Sequence, residues 1–286
     1  MFVIIGVIVV ILGVVGGYLL EHGPLHVLWQ PAELVIIGGA ALGSLLISAP
    51  LKLLMKLLKE LPKVFAGSKY NSATYTEALL MQYEVYLNAK KSGLMALEAD
   101  VNDPHNSSIF SKYPRILKDH HAMEFFSDAL RILINGAAKP DELETALEIE
   151  LETHHDEGAK IPSMITKVAD SLPGLGIVAA VLGIVITVQA IDGPPEEIGH
   201  KVGAALVGTF LGILASYGFL SPLATNIENI AADEAKFFLC LKVGILAFAN
   251  GAAPLTAIEF ARKVIYSYDR PSGAEIEQKA REIKPR

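Results

Sequence analysis

LPGLGIVAAVLGIVITVQAIDGPPEEIGHKVGAALVGTFLGILASYGFLSPL, residues 172–223, holds two uncharged apolar runs separated by a short polar turn over 192–201. Each run has about the 20 residues that a helix needs to cross roughly 30 Å of hydrocarbon. Each carries a proline near the end away from the turn, Pro173 and Pro222. Small residues line both runs: Gly174, Gly176, Ala179, Ala180 and Gly183, then Gly203, Ala204, Gly208, Gly212 and Ala215. In lipid, small residues let helix backbones approach closely, so this hairpin is built to pack against other membrane helices.

Working outward, the 286 residues are 52% hydrophobic and 19% charged, so the two characters are segregated along the chain. The N-terminal run MFVIIGVIVVILGVVGGYLL, residues 1–20, has no leading Lys or Arg, unlike a secretory signal peptide, and is read as a first span that stays. Residues 21–33 read as a loop without Lys or Arg, with Trp29 placed for a headgroup interface, and 34–51 as a second span. Lys52, Lys56, Lys59, Lys63 and Lys69 then follow closely. By the positive-inside rule this Lys-rich side is cytoplasmic. Both termini and the long middle segment are then cytoplasmic, and the two short loops face outward. The expected fold is all-α: a polytopic membrane protein with four transmembrane helices (about 1–20, 34–51, 172–191 and 202–223). A helical cytoplasmic domain spans 52–168, the second hairpin 169–225, and a cytoplasmic C-terminal helical segment 226–286.

The middle segment reads as helices. Residues 51–65 alternate lysines and apolar residues at helical spacing, as in a helix lying along the inner membrane surface until Pro62. Thr74-x-x-Glu77 fits a capping box for a helix that stops at Gly93. Further helices are expected over 94–101, over 120–135, from Pro140 with a break near Gly158 or Pro162, and over 254–268 before a charged tail.

None of the four predicted spans has an ionisable residue in its interior, whereas a pump or coupled transporter keeps one at membrane depth. The chain is then a passive scaffold or half of a complex whose partner supplies the carrier. Among the polar residues of the hairpin, Thr187, Gln189 and Ser216 suit helix–helix hydrogen bonding. Thr209, about mid-span, suits that role or the wall of a polar path equally. Pro173 reads as a helix-start proline or a hinge, and Pro222 falls inside a helical pattern. The net charge of −7 argues against a nucleic-acid partner. The single cysteine, Cys240, rules out an internal disulfide and a multi-cysteine metal site. His120-His121 and His154-His155 make poor chelates, because adjacent helical residues point apart. Glu98 with Glu150 lacks any accompanying nucleophile or phosphate loop, so an enzyme is not indicated. Lys90, Lys91, Glu98, Asp100, Glu148, Glu150 and Glu152 read as a solvated face or as an electrostatic docking surface.

Ala205-Leu206-Val207-Gly208-Thr209-Phe210-Leu211-Gly212-Ile213-Leu214, followed by seven residues and then Pro222, resembles the signature of the flagellar stator A subunits, the MotA type of the MotA/TolQ/ExbB proton-channel superfamily. The stretches 93–101, 113–117, 170–173 and 217–222 are similar to that family in the same order. The resemblance implies an inner-membrane rotary motor component: a pentamer around MotB, whose aspartate carries the ion, acting on the rotor protein FliG. It implies roles in ion flow and gating for Pro173 and Pro222, and at the rotor interface for Glu98 and Glu150. Lys90 stands where the best-known members have arginine, which keeps the sign but loses the bidentate fork. Sodium-type relatives have a threonine at the position of Ala180, beside Thr209. Ala180 removes an oxygen ligand and favours protons over Na+. No cofactor is implied. The alternative within the superfamily is an ExbB/TolQ-like energiser of outer-membrane processes, disfavoured by the two early spans.

Overall fold

The computed structural model describes residues 2–136, 139–189 and 193–284. Met1, residues 190–192 at the junction of the third predicted span and the turn, and the side chain of Lys63 lie outside the described residues. Every element among those described is helical. In chain order they are α1 (Phe2–Leu20), the single turn α2 (Leu25–Leu28), α3 (Pro31–Ser48) and α4 (Leu51–Glu60), which tightens into a 3₁₀ turn at Leu61–Phe65. Next come α5 (Ser72–Ser92), a 3₁₀ turn (Leu94–Leu97), α6 (Glu98–Asn102), α7 (Pro114–Leu117) and α8 (His120–Ile134). The second half has α9 (Pro140–Val188), α10 (Pro195–Ile213), a π-helical segment (Leu214–Leu220), α11 (Ser221–Ala249), α12 (Pro254–Lys263) and α13 (Gly273–Glu282). Four helical stretches are long and apolar enough to span a bilayer: α1, Leu25–Ser48, and parts of Pro140–Val188 and Pro195–Ala249.

The chain forms two compact units, each built from two separate stretches: Met1–Gly67 with Glu157–Ile230, and Ser68–Asp156 with Ala231–Arg286. The first, the apolar unit, contains α1, α3, α4, the later part of α9, α10 and the start of α11. None of the residues of α1 is fully buried: Val3 packs against the Leu57 cluster and Val10 approaches Gly218, and most of the rest of its surface is left for lipid or other chains. Ile37 and Ala41 of α3 pack with Leu172 and Ala179 of α9. Leu57 of α4 packs with Ile161, Met164 and Ile165 of α9 and with Ala224 and Ile227 of α11.

The second unit is a helical domain with an aromatic core. Phe237 and Phe238 of α11 are buried beside Tyr70, Tyr75 and Phe125, and Tyr86 stacks on Phe248 at 4.4 Å. Several of its polar groups are paired across elements. Tyr113 donates to Glu84 (2.7 Å), which also pairs with Lys112, and the Tyr70 hydroxyl bridges Asp119 and Glu234. Buried Lys242 meets the exposed Glu148 at 3.5 Å.

Local signals explain most helix ends, and several expectations are corrected. Gly93 and Gly136, both at positive φ, follow the ends of α5 and α8 as expected. The start of α5 is not a Thr74–Glu77 capping box. Asn71 is the N-cap, its side chain accepting from the N–H groups of Ala73 and Thr74, while Thr74 donates to the Lys69 carbonyl and Glu77 pairs with Arg115. The earlier, stronger cap wins. The helix α9 does not break at Gly158 or Pro162. A proline in a helix costs about 3 kcal/mol and a glycine about 1 kcal/mol. Ile161, Ile165, Ala169 and Leu172 are buried along this stretch, and each large apolar side chain contributes about 1.5–3 kcal/mol, which outweighs both. Residues 195–201, assigned to the outer turn, are the first turns of α10, with Pro195 at a helix start. The amphipathic helix after Pro254 ends at Lys263 rather than 268. The charged tail folds as α13, burying Ile276 and Ala280. Arg262 and Arg270 tie the intervening loop down through the carbonyls of Pro271 and Ile265.

Candidate functional site

The closest backbone approach in the apolar unit is between α9 and α10. A Cβ placed on Gly176 would lie 2.8 Å from the Gly208 carbonyl and 3.3 Å from the Thr209 Cα. One on Gly212 would lie 2.5 Å from the Leu172 carbonyl. Real Cβ contacts are not that short, so glycine is required at both positions for the helices to touch as they do. The small residues read from the sequence thus form a seam between two spanning helices. Thr209 sits on it, half-buried, opposite Gly176, one helical turn from the half-buried Ala180.

Pro173 adjoins this seam, whereas Pro222 is exposed and lies ten residues beyond Gly212. Pro173 is not a helix-start proline: it lies deep inside the 49-residue α9, next to Leu172, whose carbonyl abuts Gly212. Its ring removes the bond to the carbonyl of buried Ala169. Pro222 is the second residue of α11, directly after the π-helical segment. There the Ser221 N–H bonds the Ser216 carbonyl, five residues back. The backbone ladder has already shifted to a π register before it reaches Pro222. Such turns insert one residue into a helix and are found mostly at functional sites. Ser216 is fully buried within it, its hydroxyl without a partner among the described residues.

One residue of the apolar unit was missed. The sequence placed Glu33 in the outer loop, but it is the third residue of α3 and only 6% exposed. This corrects the expectation that the loop runs to residue 33 and the second span starts at 34. The signal was present: Pro31 at the first helical position with an acidic residue in the first turn is a helix-start pattern. Glu33 lies about 3 Å along the axis from the start of α3, so it occupies one end of the span and not its middle.

In the other unit, Lys90 is exposed in the last turn of α5 and Glu98 is exposed at the start of α6, on either side of the Gly93 turn. Each charge complements its helix end, a cation near the C-terminus and an anion near the N-terminus. Glu150 belongs to another group, on α9 near Asp128 and Glu124 of α8. Partial burial first, and then these two carboxylates, raise its carboxyl above the ordinary glutamate range. The rings of His121 and His154 meet edge-on at 5.9 Å, yet no group of three His, Cys, Asp or Glu among the described residues is arranged to hold a metal. Cys240 is fully buried, and burial pushes its thiol well up, as suits an inert core residue.

Residues 4–93 match the family model Motility protein A N-terminal, and residues 117–238 match the MotA/TolQ/ExbB proton channel family. The N-terminal match covers the two early spans that set motor subunits apart from energisers. The chain is 43% identical over 284 residues to Motility protein A of Escherichia coli (strain K12), covering 99% of this chain and 96% of that protein. It is 41% identical to Motility protein A of Salmonella typhimurium over the same shares, and 36% identical to Chemotaxis protein LafT of Vibrio parahaemolyticus over 96% of each. Its fold is similar to a chain of the C. jejuni MotAB structure (TM-score 0.79, 24% identity, 94% of this chain and 98% of that one). It is also similar to one of the Bacillus subtilis flagellar MotAB stator complex (TM-score 0.72, 24% identity, 96% and 97%). A seam of spanning helices closed by glycines and full-length similarity to motility proteins A lead to one statement: the chain belongs to the motility protein A family, a branch of the MotA/TolQ/ExbB proton-channel family and not a family of enzymes.

Proposed function

We propose that this protein is the A subunit of a flagellar stator, which with a MotB-type partner forms a proton channel and converts ion flow into torque. The observation that carries the reading is the α9–α10 seam. It is walled by small residues and Thr209, and no ionisable side chain of the described residues lies at its mid-depth. A route that conducts protons through such a wall needs a carboxylate from another chain, and the structures similar in fold are complexes of two kinds of subunit, MotAB. The unburied surface of α1 and the exposed apolar faces of α3 and α9 suit a ring of copies, a pentamer, in the inner membrane. The Lys-rich start of α4 then faces the cytoplasm, as do both termini and the 52–168 region. On that side Lys90, Glu98 and Glu150 form the surface for a rotor protein of the FliG type. Pro173, beside the seam, and Pro222, just past the π-helical segment, couple rearrangement of α9 and α11 to that surface.

Ala180 supports protons over sodium. A sodium ion needs several oxygen ligands, whereas a proton needs only a carboxylate. The test is to express the chain, with its cognate partner, in cells lacking their own stator. Swimming speed that follows the proton-motive force and ignores external sodium is expected. Absence of rotation with an intact partner contradicts the stator assignment, and sodium-dependent speed contradicts the ion assignment.

A further inference from the structure

Glu33 is the one charged side chain buried in the apolar unit among the described residues. Its carboxyl fills space that two glycines leave open. A Cβ on Gly208 of α10 would stand 2.5 Å from Oε2, and one on Gly183 of α9 would stand 3.6 Å from Oε1. Oε2 has no hydrogen-bond partner and the side chain no ion pair among the described residues. The neighbouring Gly183 carbonyl is already taken by the Thr187 hydroxyl at 2.8 Å. Burying a carboxylate without a partner is expensive, and a chain that only needed to fill this space would do better with an apolar side chain. Ionisable residues in spanning helices mark ion and proton pathways.

The position of the pocket fits that role. Ala179 and Gly208 form its walls, the Ala179 Cβ lying 3.3 Å from a Gly208 Cβ. The next residue along each helix is Ala180 or Thr209, the pair placed on the ion route. Charged and titratable groups lie only toward the outer mouth. His26 on α2 faces His200 on α10, ring centroids 6.5 Å apart. Glu196 and Glu197 belong to the first turn of α10, where Glu197 holds Lys201 at 2.9 Å. The facing turns of α9 (Ala179, Gly183, Thr187) carry none, and α3 carries no other. Moving inward from that mouth, Glu33 is the first carboxyl within the helix bundle.

We propose that Glu33 is a proton station at the outer end of the ion route, an inference that rests on the stator reading. Its carboxylate takes a proton from hydronium at the mouth and becomes a neutral acid. It then yields the proton to the partner subunit's carboxylate and returns to its charged form. Each cycle moves one proton inward and leaves Glu33 unchanged. Glu33 acts before the carrier and does not replace it, since it lies near one end of α3.

The experiment compares the wild type, Glu33→Gln and Glu33→Asp, each expressed with the partner in stator-deleted cells. Rotation speed is read over a range of external pH, and co-purification with the partner is measured on the same cells. A silent wild type indicts the stator reading itself and not Glu33. With a rotating wild type, Glu33→Gln is expected to assemble normally, run several-fold slower and lose much of the dependence on external pH. Glu33→Asp is expected to keep rotation with a displaced pH profile. Wild-type speed in Glu33→Gln at every pH, slowing with an unchanged pH profile, or loss of partner binding in both variants would each overturn the proposal. The last of these outcomes would make Glu33 a packing residue.

Discussion

At the scale of single residues, the charged positions differ in what surrounds them, and so in what their substitution does. Glu98 is exposed and lies outside the core of its unit, so reversing it costs little in folding. Glu98→Lys is expected to leave membrane assembly intact and to cut motor torque strongly, measured by bead rotation under load. Loss of the protein from detergent-extracted complexes would show that the residue is structural. Glu150 behaves differently, because its neighbours Asp128 and Glu124 disfavour its charge. Its folded-state affinity for a proton exceeds that of the unfolded chain. Its stabilising contribution is therefore full in acid and is lost as pH rises through the raised value. Glu150→Gln should flatten that part of the pH dependence of thermal unfolding and slightly stabilise the protein near neutrality. An unchanged pH profile would show that the neighbouring carboxylates do not act on it. Lys90, Glu98 and Glu150 were identified in the sequence by resemblance, whereas nothing in one sequence revealed that Glu150 shares its surroundings with two acidic residues of α8. Glu33 was readable as a helix-start acid, but its burial depends on glycines 150 and 175 residues away along the chain, which local pattern does not connect.

At the scale of elements, the α9–α10 seam is the feature whose geometry is most exacting. Gly212→Ala would drive a methyl into the Leu172 carbonyl and toward the Gly176 Cα, both backbone atoms. Neither can rotate away, so α9 and α10 must separate. The expected cost is about 1–3 kcal/mol, typical of overpacking, with motility lost before the protein disappears from the membrane. Normal speed in Gly212→Ala would show that the helices tolerate a wider spacing. The small-residue stripe was plain in the sequence because lipid-spanning helices select for it. The π turn before Pro222 was not, since one extra backbone residue leaves composition and hydropathy unaltered. Nor was the continuity of α9 through Pro162 and Pro173, where tertiary burial overrides local helix-breaking residues. The Thr74 capping box misled because Asn71, a better cap by type, stands three residues earlier and already satisfies the first N–H groups.

At the scale of the whole molecule, hydropathy and lysine asymmetry were enough to define four spans and an all-helical chain. The way the chain divides was less legible. Each compact unit is assembled from two distant stretches, and α9 and α11 each contribute to both. No local signal marks the point where a helix passes from one unit to the other. Within the apolar unit, the described residues supply a glycine-tight seam and one buried carboxyl, Glu33, near one end of α3, and they leave mid-depth without a buried carboxyl. The central claim is that proton transfer across the bilayer is completed only by a carboxylate on another subunit. The direct measurement is steady proton flux into liposomes holding the purified chain by itself, under an imposed membrane potential. Flux equal to that of empty liposomes is the predicted result; sustained flux carried by this chain alone would contradict the account.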